Sequence, residues 1–246
     1  MRVHPPATAP VSVAAAALLV LVAAVETRSG DSPGSPPDTG SIAGRVRYVG
    51  RAPEPVYVFE SGAAQAVLAL DRNRGLASAA VYLHASPAPP EAAGDVVITQ
   101  RNWWFTPPVV AVRAGQRVTF TSEDPSNHNV RSTQGVPANR FSAYTGAGQP
   151  YAHQFRVNAD YAPAVITCDI HAWMMAWVYV FDHPHFALTG AAGEFSIPHV
   201  PPGAHRVSIR HGPGGLARDV NVTVSAGRET RVEVTFDTPD LHLPVR

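Results

Sequence analysis

Cys168-Asp169-Ile170-His171-Ala172-Trp173-Met174-Met175 holds the only cysteine of the chain and both methionines that follow Met1. A thiolate, an imidazole and a thioether fall within seven residues. Thiolate and thioether are soft donors, and together with imidazole they suit copper better than any other biological metal. Upstream, Ser126-Asn127-His128-Asn129-Val130 offers a second imidazole, 40 residues before Cys168. A copper site built for electron transfer uses two imidazoles and one thiolate in a trigonal plane, with a weak axial thioether. In sequence this reads as one histidine on an early strand, then Cys, His and Met on one tight late loop. His128, Cys168, His171 and Met174 stand in that order, with Met175 as the competitor for the axial position.

The flanks of the loop read as short strands. Ala164–Cys168 and Ala176–Phe181 enclose it, and Tyr151–Val157 precedes them. Before His128 come Val96–Gln100, Val109–Val112 and Arg117–Thr121, separated by turns at Phe105–Pro108 and Ala114–Gln116. Ser122–Asn127 reads as a polar loop, and 132–150, rich in Gly, Ser and Pro, as a long excursion. Further out, Ser41–Val49 and Ala79–His84 read as strands, while 56–59 and 66–70 are short apolar runs of open type. After Asp182 follow five segments: Phe186–Thr189, Gly193–Ile197, Ala204–Arg210, Ala217–Val224 and Glu229–Phe236. Frequent Gly and Pro turns between short strands predict an all-β chain of sandwiches, with no helix.

Around the loop the chain resembles the cupredoxin family, whose members include plastocyanin and amicyanin. Cys168-x-x-His171-x-x-Met174 matches the ligand loop of the amicyanin branch, and His128-Asn129-Val130 matches the family's first-histidine motif. Phe105-x-Pro107, Ala114-Gly115, Val118 and Phe120 resemble the strand before that histidine. The resemblance spans 95–182 and implies a Greek-key cupredoxin sandwich with one type 1 (blue) copper. His128 and His171 would bind through ring nitrogen, Cys168 as thiolate and Met174 axially. The Asn129 N–H would donate to the thiolate from behind, and Trp173 would help form an apolar docking patch beside His171.

Outside that span, Gly193-Glu194-Phe195-Ser196-Ile197, Val200-Pro201-Pro202-Gly203 and Val207 resemble a carboxypeptidase regulatory-like domain, a small transthyretin-like sandwich. That family's opening strands are matched before the copper region, in Gly40-Ser41-Ile42-Ala43-Gly44-Arg45-Val46 and in Ala80-Val81-Tyr82-Leu83. Residues 186–238 alone would leave open sheet edges. The expectation is that 41–90 pairs with 186–238 and that 95–182 is inserted between them. The layout resembles that of proteins labelled methylamine-utilisation proteins, and it implies a scaffold or adhesion role for the outer sandwich.

Residues 1–26 read as a signal peptide: Arg2, an apolar run Val11–Val25, and small residues at Val22-Ala23-Ala24. The run falls short of the roughly 20 apolar residues of a spanning helix. A linker follows at 27–40. The expected location is periplasmic or extracellular, with no membrane span after cleavage and an N-terminal anchor as the alternative. The 246 residues carry 19 basic and 19 acidic side chains, a balance that suggests no nucleic-acid partner. The chain therefore reads as an exported one-electron carrier with a redox protein partner, not an enzyme. The alternatives are a copper-delivery module and a structural, adhesive β protein. One cysteine excludes a binuclear copper centre, and no second ligand set of the multicopper type is present. His183 and His185 with His153 are a conceivable second metal site, though a turn explains the first two. Asp169 reads as a solvated loop charge, and Trp103, Trp104 and Trp177 as core aromatics.

Overall fold

A computed structural model describes residues 38–59, 61–89 and 94–243. The proposed signal peptide and nearly all of the linker lie outside the described residues. The strands are β1 (Gly40–Tyr48), β2 (Val56–Val58), β3 (Ala63–Gln65), β4 (Ala80–Leu83), β5 (Val96–Arg101), β6 (Trp104–Thr106), β7 (Val109–Arg113), β8 (Arg117–Ser122) and β9 (His128–Ser132). They continue with β10 (Phe141–Thr145), β11 (Tyr151–Gln154), β12 (Ala164–Thr167), β13 (Met175–Phe181), β14 (Phe186–Leu188), β15 (Glu194–Val200), β16 (Gly203–His211), β17 (Leu216–Val224) and β18 (Glu229–Phe236). Among the described residues only single 3-10 turns interrupt the β structure, and no helix is long and apolar enough to cross a membrane.

Four principal sheets stack in layers. β11-β8-β5-β6 and β10-β9-β12-β13-β7 enclose one core, which includes Ile98, Phe120, Val130, Ile166 and Val178. β14-β4-β16-β17 and β15-β1-β18 enclose another, which includes Ile42, Val81, Ile197, Ile209 and Phe236. Strand β1 lies antiparallel to β15 and parallel to β18, and β4 lies between β14 and β16. At Gly44 the β18 backbone passes so close that a Cβ would collide with the Val232 carbonyl.

The seam between the sandwiches follows from the period-two alternation of a strand. Along β13, Ala176, Val178 and Val180 face the first core. Trp177, Tyr179 and Phe181 face the other way, onto Ala80 and Tyr82 of β4. Within β4, Val81 and Leu83 turn into the second core. Both strands are therefore covered on two faces, which is why they read as continuous apolar runs rather than as alternation.

Two local expectations are corrected. The segment Phe105–Pro108 is not simply a turn, because Trp104–Thr106 forms β6, antiparallel to β5. The reversal is made one step earlier by Asn102 and Trp103, whose φ values are 54° and 61°. A tryptophan in the left-handed region is uncommon, so the sequence carries no turn signal there. The 132–150 excursion contains β10, paired in register with β9, and Phe141 and Ala143 pack against the core. Of the two open apolar runs, 56–59 supplies β2, which pairs with β3, while 66–70 forms no strand and Leu70 makes only an isolated bridge to Leu76.

Burial of histidine gives the fold an acid limit. His211 is 2% exposed, and burial alone pushes its pKa down to about 4. Its Nδ1 accepts the Gly214 N–H at 3.0 Å, so protonation would set two N–H groups against each other. His183 is likewise buried and lowered to about 4, by burial first; His185 and Arg113 push the same way and Asp182 opposes. A histidine lowered in the fold contributes stability that is complete above about pH 6.5 and declines as pH falls toward about 4. For His211 the loss approaches about 3 kcal/mol across that window. Denaturant unfolding at pH 7 and pH 4.5 should show this decline, and His211→Asn should flatten it.

Candidate metal centre

Neighbouring strands bring the donors together. His128 opens β9, Cys168 follows the last residue of β12, and β12 pairs with β9 through Thr167 and Arg131. The loop from 168 to 174 is closed on itself. Cys168 N–H donates to the Met174 carbonyl at 3.3 Å, and Met174 N–H donates to the His171 carbonyl at 2.9 Å. His128, Cys168 and His171 are 0%, 3% and 8% exposed.

Cys168 Sγ lies 3.9 Å from His128 Nδ1 and 3.7 Å from His171 Nδ1, and the two nitrogens are 3.0 Å apart. A point equidistant from three atoms so spaced is about 2.1 Å from each, within the range of metal–nitrogen and metal–thiolate bonds, about 2.0–2.3 Å. The triangle thus has the size a first-row metal requires, and its donors are two imidazoles and one sulfur. Among the described residues it is the one group of three His, Cys, Asp or Glu side chains close enough to hold an ion.

The two methionines part company at this point. Met174 is fully buried in the same apolar cluster as Cys168. Met175, one residue on, faces the opposite way. It lines a cavity of about 330 Å³ between the sandwiches, together with Trp104, Trp173, Trp177 and His211. The alternation that splits β13 between two cores separates the methionines, which sequence spacing alone does not.

Around the triangle, His128 Nε2–H donates to Asp124 Oδ2 at 3.0 Å, which leaves Nδ1 bare. Burial first, then the neighbouring His171, holds the His128 pKa below its ordinary value, against the pull of Asp124. Both imidazole nitrogen and thiolate must be deprotonated to bind a metal, so this environment favours the ligating form of His128. Asn129 works through its side chain. Its Oδ1 accepts the Asp169 N–H at 2.7 Å and its Nδ2 donates to the Asp169 carboxylate at 2.8 Å, which fixes the backbone directly after Cys168. Arg131 completes the clamp at 2.7 Å from Asp169. These hydrogen bonds hold the Asp169 carboxyl below its usual range. Asp169 is thus an exposed, solvated loop charge that is also engaged by Arg131 and Asn129.

Trp173 is half-buried, with its ring 5.3 Å from that of His171 and tilted by 50°. It looks into the cavity between the sandwiches as well as toward the triangle. The conceivable second metal site does not assemble among the described residues. His153 packs among Phe141, Tyr151 and Phe155 and bonds the Ala138 carbonyl, while His183 and His185 stack on each other at 6.0 Å. Asp124 and the Trp103 backbone were not legible beside the triangle; a polar loop four residues before His128 is the only signal they leave.

No protein-family model and no curated relative matches this chain. Among solved structures it is similar to amicyanin from Paracoccus versutus, at 19% identity over 41% of this chain and 97% of that one, with a TM-score of 0.31. A reduced amicyanin variant gives 20% identity over 41% of this chain and 98% of that one, at 0.31. A copper-containing nitrite reductase from Thermus scotoductus matches at 20% identity and 0.31, over 55% of this chain but only 28% of that one.

Proposed function

We propose that this protein is a cupredoxin-like copper protein that carries single electrons outside the cytoplasm. His128, Cys168 and His171 would hold one copper ion, and Met174, buried in the same cluster as Cys168, would be the fourth donor. The observation that carries the reading is the donor triangle itself, whose edges of 3.9, 3.7 and 3.0 Å suit a first-row metal. When bound, copper supplies the exchange of one electron between two oxidation states. The chain supplies a geometry that does not have to change with oxidation state. His128 is fixed by Asp124, Cys168 by the Asn129–Asp169 clamp, and His171 by loop closure onto Met174.

Water is kept out by burial of all three donors. That burial also disfavours the alternative of a copper-delivery module, which needs ligands that a recipient can reach. His171 is the most exposed of the three, and Ile170 beside it is 56% exposed. A partner would therefore meet the site at this apolar edge. The zero formal charge fits such contact better than long-range steering. The outer sandwich serves here as a scaffold rather than a catalyst, and the proposed leader would direct export. A redox titration of copper-loaded protein tests the reading. One reversible electron per chain is expected. Rapid surrender of the metal to chelators without a reversible wave would favour delivery.

A further inference from the structure

We propose that Asp124 is a positioning residue of the metal centre. Through the Asn102–Trp103 turn it ties the two imidazoles together, and its carboxylate favours the divalent over the monovalent copper state. The inference rests on the copper reading above. Asp124 is 4% exposed and four residues before His128. Its Oδ2 accepts two hydrogen bonds, from His128 Nε2–H at 3.0 Å and from the Trp103 N–H at 3.0 Å. The carbonyl of the same Trp103 accepts the indole N–H of Trp173 at 3.1 Å, and the Trp173 ring rests against His171. A continuous path thus runs behind the donor triangle from one imidazole to the other.

The turn that makes this path is strained. Asn102 and Trp103 both lie in the left-handed region, a conformation a tryptophan keeps only where its surroundings over-determine it. The Trp103 N–H and C=O are the two groups that the path uses. A carboxylate behind a metal-binding imidazole fixes the tautomer and raises the basicity of the opposite nitrogen. In a buried setting its negative charge stabilises the more positive metal ion more strongly. The divalent ion should therefore lose more than the monovalent one when the charge is removed.

Asp124→Asn keeps the shape and an acceptor oxygen and removes the charge. Competition against chelators selective for each copper state should show Cu(II) affinity reduced about 10–100-fold and Cu(I) affinity reduced less. Each tenfold difference between the two losses raises the reduction potential by about 59 mV. Equal losses, or no loss, overturn the proposal, because a merely structural role would not separate the two states. A second measurement needs no metal. By NMR, the His128 Nε2–H of the wild-type, metal-free protein should exchange slowly with solvent, and Asp124→Ala should make it fast. Fast exchange in the wild type overturns the proposal whether or not the variants fold. Wild type that takes up no copper ends both this inference and the functional reading. Copper uptake with an unmoved potential in Asp124→Asn ends this inference alone.

Discussion

Copper-loaded protein carrying Cys168→Ser is expected to lose its intense visible colour completely and to show a wide copper hyperfine splitting in place of a narrow one. Both signatures depend on the sulfur, since a hydroxyl is a harder, weaker donor that does not share electron density with copper as a thiolate does. No other cysteine exists in the chain to replace it. The two imidazole nitrogens would still stand 3.0 Å apart, so weaker metal uptake through His128 and His171 is expected to survive. Optical and electron paramagnetic spectra of the variant beside the wild type check this. A coloured variant with narrow splitting would remove Cys168 from the site.

The second large effect is on stability. Phe181 is fully buried at the seam between the sandwiches, stacked on Phe186 at 4.4 Å and within 5.0 Å of Tyr82 and 5.4 Å of Tyr161, ring centre to ring centre. Phe181→Ala should cost about 3–5 kcal/mol, the sum of lost burial and the cavity left behind. Against a typical net stability of about 5–15 kcal/mol, that is roughly a fifth of the total or more. The copper spectra should be little changed, because it is the neighbouring Val180 that faces the Cys168 core. Equilibrium denaturation gives the number. A loss below about 1 kcal/mol would mean that the two sandwiches do not depend on this seam.

What the sequence made legible follows from which physical signals are local. The donor residues are chemically rare in this chain: one cysteine, and two methionines beside it. Their spacing on one loop and the flanking strands could be read directly, and the all-β character followed from short apolar runs between Gly and Pro turns. Strand β10 was hidden because it lies inside a stretch rich in Gly, Ser and Pro, and it is held by its pairing with β9 and by the packing of Phe141 against the core. The Asn102–Trp103 turn was hidden because tryptophan has no preference for the left-handed region. It is held there by tertiary bonds, including those to Asp124 and Trp173.

The choice between Met174 and Met175 was ambiguous for a related reason. One residue of register moves a side chain to the opposite face of a strand. Only the seam with β4, which claims Trp177, Tyr179 and Phe181, decides which face of β13 turns to the core that holds Cys168. Asp124 left only the weak signal of a polar loop, because buried carboxylates are defined by their partners, and those partners lie on a strand and a turn.

X-ray absorption of copper-loaded wild-type protein tests the donor triangle most directly. One short sulfur scatterer and two nitrogen scatterers at about 2.0–2.3 Å are expected, at one copper per chain. A copper shell of nitrogen and oxygen alone, or a chain that takes up no copper, would contradict the account.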